Sequence, residues 1–106
     1  MLKMRRGEVW WANLPRSSGL RPIILLSRDE AYAARDLIIV SPLTTRVQSI
    51  PTEVPLGPED GLPRVCVANL DVIETASKKR LRDRITVLSA EKLGAVEAAL
   101  HFALGL

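Results

Sequence analysis

A small, mainly β fold, a strongly bent sheet or barrel with one C-terminal helix, is what the order of apolar runs in this chain predicts. Three observations carry the prediction. Five to seven short apolar runs are separated by turns rich in proline and glycine. Two of them, Ile23-Ile24-Leu25-Leu26 and Leu37-Ile38-Ile39-Val40, are continuous, the pattern of strands buried on both faces. Sustained helical spacing of apolar residues occurs only in the last stretch, where Leu93, Val96, Leu100 and Leu104 recur with Ala99 and Ala103 beside them.

The chain has 106 residues, enough for a real core and expected to form one domain over 1–106. A net charge of +3 and a pI of 9.5 permit a nucleic-acid partner without requiring one. The one cysteine, Cys66, cannot form an internal disulfide, which fits a reducing compartment. It lies in the apolar stretch Arg64-Val65-Cys66-Val67-Ala68, where a small buried side chain is expected rather than a nucleophile. No apolar run approaches the roughly 18 residues of a membrane span. The basic start, Met1-Leu2-Lys3-Met4-Arg5-Arg6-Gly7, lacks the apolar region of a signal peptide, so a cytoplasmic protein is expected.

In order, Glu8-Val9-Trp10-Trp11-Ala12-Asn13-Leu14 reads as a strand between Gly7 and Pro15. Neighbouring strand residues face opposite ways, so one tryptophan is core. The other is core of a second layer, an interface residue or a base-stacking platform. Residues 15–20 form a polar loop that includes Ser17 and Ser18, and residues 28–35 have room for one or two helical turns. Prolines 51 and 55 confine the strand over 50–56 to an edge or a bulge. Residues 57–63 are a loop, 64–68 a strand, and 69–75 a bend with a short strand. Lys78, Lys79, Arg80, Arg82 and Arg84 crowd one stretch, as solvated surface or as a phosphate-tracking patch. Ser77 is placed to cap a helical turn there. The final strand is expected over 85–88, with Ser89 capping the terminal helix and Gly105 stopping it. His101, the only histidine, is read as structural.

Arg21 is the focus. Pro22 fixes its own φ and pushes Arg21 toward extended geometry at the mouth of a buried strand. A guanidinium aimed from so rigid a base suits phosphate recognition. The alternative is a structural ion pair with a carboxylate such as Asp71. Thr44 and Thr45 end the other buried strand and join the site only if the two strands are neighbours. The sequence holds no metal-ligand cluster, glycine-rich phosphate loop or triad spacing.

Taken together, Arg6-Gly7-Glu8-Val9-Trp10-Trp11, Arg21-Pro22, Pro42-Leu43-Thr44-Thr45, the segment from Ala68 to Thr75 and the ending Ala103-Leu104-Gly105-Leu106 resemble the MazF/PemK toxins. The resemblance spans essentially the whole chain in order. It implies an SH3-like, CcdB/PemK-type barrel that dimerises with itself and is neutralised by a MazE-like antitoxin. It further implies an endoribonuclease that cuts single-stranded RNA without metal or cofactor, leaving 2′,3′-cyclic phosphate and 5′-hydroxyl ends. Motif match puts Arg21 and Thr44 at the catalytic positions. RNA contacts are assigned to Thr45, Ser17, Ser18, Asn69, Lys78, Lys79, Arg80 and Arg82. Two departures stand out. The loop before Arg21 lacks the glutamate and histidine of some relatives, and the strand near Val67 and Asn69 lacks the arginine and aspartate of others. Two other readings share the fold: a CcdB-like gyrase inhibitor and a non-catalytic RNA-binding barrel.

Overall fold

A computed structural model describes residues 3–106. Its framework is one antiparallel sheet in the order β4-β5-β3-β2-β1-β7, with β6 paired to β3 off that path. The strands are β1 (Glu8–Ala12), β2 (Arg21–Leu25), β3 (Leu37–Thr44), β4 (Glu53–Leu56), β5 (Cys66–Asn69), β6 (Glu74–Ser77) and β7 (Leu81–Val87). A one-turn helix α1 (Ala31–Ala34) precedes β3, and the long helix α2 (Ala90–Leu104) ends the chain. The sheet curls into a half-barrel. Its two ends, β4 and β7, share no ladder and are tied by side chains. Thr86 Oγ1 on β7 donates to the Asp60 carbonyl, and Lys92 Nζ on α2 donates to the Pro55 carbonyl.

The alternation along β2 explains the two-sided burial that its sequence predicts. Ile24 and Leu26 join one apolar cluster with Val9, Leu43, Leu56 and Val96, beneath α2. Ile23 and Leu25 join another, with Trp10, Tyr32, Ile38 and Val40, on the opposite face. Each of these side chains is withdrawn from water, worth about 1.5–3 kcal/mol for a large aliphatic or aromatic group. Trp10 is therefore the core tryptophan. Its Nε1–H donates to Glu8 Oε1 at 2.9 Å, and Arg84 stands 3.6 Å from the other oxygen of that buried carboxylate. A buried charge needs such partners.

Pro42 lies within a central strand, where a missing N–H normally costs a ladder bond. Here it falls at a handover. β3 pairs with β6 through residues 37–40 and with β5 through Leu43 and Thr44. Ser41 fills the gap, donating from its buried hydroxyl to the Val72 carbonyl at 2.7 Å.

Several boundaries differ from the sequence reading. β1 stops at Ala12, because the Asn13 N–H bonds the Arg80 carbonyl instead of a neighbouring strand. β4 starts at Glu53, after a turn at Pro51. β5 starts at Cys66, and Arg64 stays in the loop before it. β7 starts at Leu81, four residues early, inside the basic run. Ser77 and Ser89 cap as expected, accepting the N–H groups of Lys79 and Lys92. Gly105 adopts φ +69 and closes α2. Leu104 is 52% exposed rather than part of the buried stripe. It sits roughly 80° round the helix from Val96, at the rim of the face. Among the described residues no helix is long and apolar enough to cross a membrane.

Candidate active site

β2 and β3 are neighbours, with Ile23 opposite Pro42 and Ile24 opposite Ser41. Continuing that register by two residues sets Thr44 across from Arg21. The Arg21 guanidinium closes the gap, donating from Nη2 to the Leu43 carbonyl at 2.7 Å. Asp71 does not pair with it: that carboxylate accepts the Thr52 hydroxyl at 2.7 Å. One bond to a rigid strand fixes the direction of the guanidinium and leaves most of its five N–H donors available. Thr44 is anchored in a complementary way. Its Oγ1 accepts the Arg46 N–H at 3.1 Å, so the hydroxyl proton remains free to be donated.

These two residues line a cavity of about 410 Å³ together with Trp11, Leu20, Pro22, Leu43, Thr45, Leu62, Pro63, Arg64 and Cys66. The topology explains the last four. Leu56 pairs with Cys66 and Thr44 with Val67, so the segment joining β4 to β5 emerges beside Thr44. Lys92 stands 3.7 Å from Asp60 within that segment, and Asp60 also accepts the Gly57 N–H at 2.9 Å. Gly61 holds a left-handed φ of +92 there, and a methyl group on it would collide with Thr86. Neither carboxylate nor imidazole lines the cavity. Burial pushes the Cys66 thiol up, and the charges of Asp60 and Glu59 add to the effect, so the thiol stays protonated and inert at neutral pH. Among the described residues no three His, Cys, Asp or Glu side chains could hold a metal ion together.

The other predicted contact residues lie elsewhere. Ser17 and Ser18 belong to the loop before β2 but do not line the cavity. Asn69 is buried on β5 and its Oδ1 accepts the Asp71 N–H at 3.0 Å. Lys78 and Lys79 border an open depression with Ala33, Ala34, Arg35 and Asp36. Lys78 Nζ donates to the Tyr32 carbonyl, Arg80 to the Asn13 carbonyl at 3.4 Å and Arg82 to the Lys79 carbonyl at 2.8 Å. The sequence alone does not place Arg64, Leu62 and Pro63 beside this cavity, and it does not decide between the roles open to Trp11. Nothing local marks the first three, which reach the cavity only through the β4–β5 pairing.

A curled half-barrel whose arginine and threonine line one cavity defines a small, mainly β domain with a candidate site at the ends of β2 and β3. Residues 5–104 match the model for the PemK-like, MazF-like toxin of type II toxin-antitoxin systems. The chain belongs to that family. It is 37% identical over 99 residues to the probable endoribonuclease MazF5 of Mycobacterium tuberculosis, covering 92% of this chain and 90% of that one. Among solved structures, a mycobacterial endoribonuclease in complex with its cognate antitoxin superposes with a TM-score of 0.87 at 31% identity, over 97% of this chain and 96% of that one. The Mycobacterium tuberculosis toxin MazF-mt6 gives 0.84 at 28% identity, over 93% and 97%.

Proposed function

We propose that this chain is the endoribonuclease toxin of a type II toxin–antitoxin pair, and that Arg21 and Thr44 carry its chemistry. The observation behind the site assignment is the pair of half-spent side chains. Each is fixed by one backbone bond, and each lines a shared cavity with donor capacity left over. RNA supplies its own nucleophile, the 2′-hydroxyl. Its proton passes to solvent hydroxide as its oxygen attacks the adjacent phosphorus, the bond to the 5′-oxygen breaks, that oxygen takes a proton from water, and a 2′,3′-cyclic phosphate and a 5′-hydroxyl result. Charge builds on the non-bridging oxygens in the transition state. Arg21 and the Thr44 hydroxyl meet it as preorganised donors, which need no rearrangement at the moment of reaction. With no carboxylate or imidazole on the cavity wall, catalysis relies on positioning and electrostatics.

The same reading makes 1–106 a single toxin domain in the cytoplasm, active as a two-fold homodimer and blocked by a MazE-like antitoxin. A long RNA incubated with pure protein in EDTA tests it. Fragments with defined ends and cyclic phosphates are expected. Intact RNA together with inhibited gyrase supercoiling would replace the nuclease by a CcdB-like toxin.

A further inference from the structure

We propose that the cavity beside Arg21 seats one unstacked nucleobase of the substrate, stacked on the indole of Trp11. The inference rests on the endoribonuclease reading and names a subsite within it. Trp11 is half-buried and belongs to neither apolar cluster of the core, unlike its neighbour Trp10, which is 7% exposed. A large aromatic left out of the core and set against a cavity offers a flat face on which a planar ring can stack. Its cross-strand partner Pro22 shares the cavity wall, and buried Leu43, Leu62 and Cys66 add apolar surface. Around them stand two guanidiniums, Arg21 and Arg64, and two hydroxyls, Thr44 and Thr45.

A ligand that fits this arrangement has a flat apolar face, a polar edge and negative charge beside it. A nucleotide within a single strand meets all three requirements. An apolar side chain from a protein partner would cover the same surface yet leave both guanidiniums without an anion. The volume of about 410 Å³ lies in the range of small-ligand sites, roughly 300–1,000 Å³, and so suits one base rather than a stacked pair of strands. Base–aromatic stacking tolerates any base, so Trp11 contributes affinity and positioning rather than sequence choice.

Trp10 and Trp11 are the only tryptophans, which makes the test optical. The probe is a short 2′-O-methyl RNA, which cannot be cleaved because its 2′-oxygen has no proton to lose. Wild-type fluorescence should be quenched on binding, and Trp11→Phe should bind nearly as well without the quench. Trp11→Ala should raise Kd about tenfold to a hundredfold while its melting temperature stays close to wild type. Should Trp11→Ala fail to fold, the Trp11→Phe quench decides. Quenching that persists in Trp11→Phe would overturn the subsite. So would wild-type affinity in folded Trp11→Ala, or a Trp11 effect confined to inhibition by a protein partner. If wild-type protein cuts RNA throughout, those results leave the nuclease reading intact. Wild-type protein that neither binds nor cuts RNA would overturn both.

Discussion

Arg21 and the basic turn after β6 are both rich in potential phosphate contacts, yet the fold uses them differently. In the turn and the start of β7, most of the cations are engaged by the protein. Lys78, Arg80 and Arg82 each donate to a backbone carbonyl, and Arg84 stands by the buried Glu8. Lys78 ties β6 to α1, and Arg80 ties the turn to the end of β1. Arg21 also donates to a carbonyl, but from the edge of a cavity that it lines with a free hydroxyl and an aromatic wall. Charge density along the sequence therefore says little about which cation keeps donors open beside a cavity. What distinguishes Arg21 is a rigid strand mouth, one anchoring bond and open space ahead of the remaining donors.

The largest effect that can break this contrast is loss of Arg21. Arg21→Ala should lower cleavage by about 10²–10³, the cost of one preorganised donor, in a protein that still folds. Arg21→Lys should restore only part of the rate, since an ammonium lacks the planar fork. Thr44→Ala should cost less, about 10–10², because a neutral hydroxyl makes a weaker bond to an oxyanion than a guanidinium does. Initial rates on a fluorogenic RNA measure both.

A pH profile sharpens the chemical side. Among the described residues two groups have clearly displaced acidities, Cys66 in the cavity wall and Tyr32 in the core cluster across the sheet, and burial raises both. Neither is ionised near neutrality, so neither can act as a base there. Cleavage should therefore climb steadily from about pH 6 to about pH 9 as hydroxide takes over proton removal, without the bell shape of a paired acid and base. A bell with a limb near pH 6–7 would point to a titrating group brought in from outside the cavity wall.

Much of the fold was legible because local rules agreed with the tertiary outcome. The continuous run of β2 reads as buried on both faces and is. Ser89 and Gly105 bound α2 where capping chemistry predicts. β7 was harder to see, since Arg82, Asp83 and Arg84 read as a charged surface segment while the backbone beneath them pairs with β1. Leu104 read as core by periodicity, but the apolar face of α2 is centred on Val96, Ala99 and Ala103. In the candidate site, Arg21 and Thr44 are legible as a pair from their positions at strand ends, and the pairing of β2 with β3 sets both on one cavity. Arg64 is not, because only the pairing of β4 with β5 brings its loop back over the end of β3. Trp11 was half legible: alternation separates it from Trp10, but only the register shows which tryptophan faces the cavity.

Single-turnover cleavage measured beside thermal unfolding, for Arg21→Ala and Lys78→Ala, tests the contrast most directly. Arg21→Ala should lose cleavage by about 10²–10³ with little change in melting temperature. Lys78→Ala should do the reverse, losing about 1–2 kcal/mol of stability with its bond to the Tyr32 carbonyl while the folded protein cuts at nearly the wild-type rate. The exchanged result would contradict the account: a less stable but fully active Arg21→Ala, and a stable Lys78→Ala that no longer cleaves.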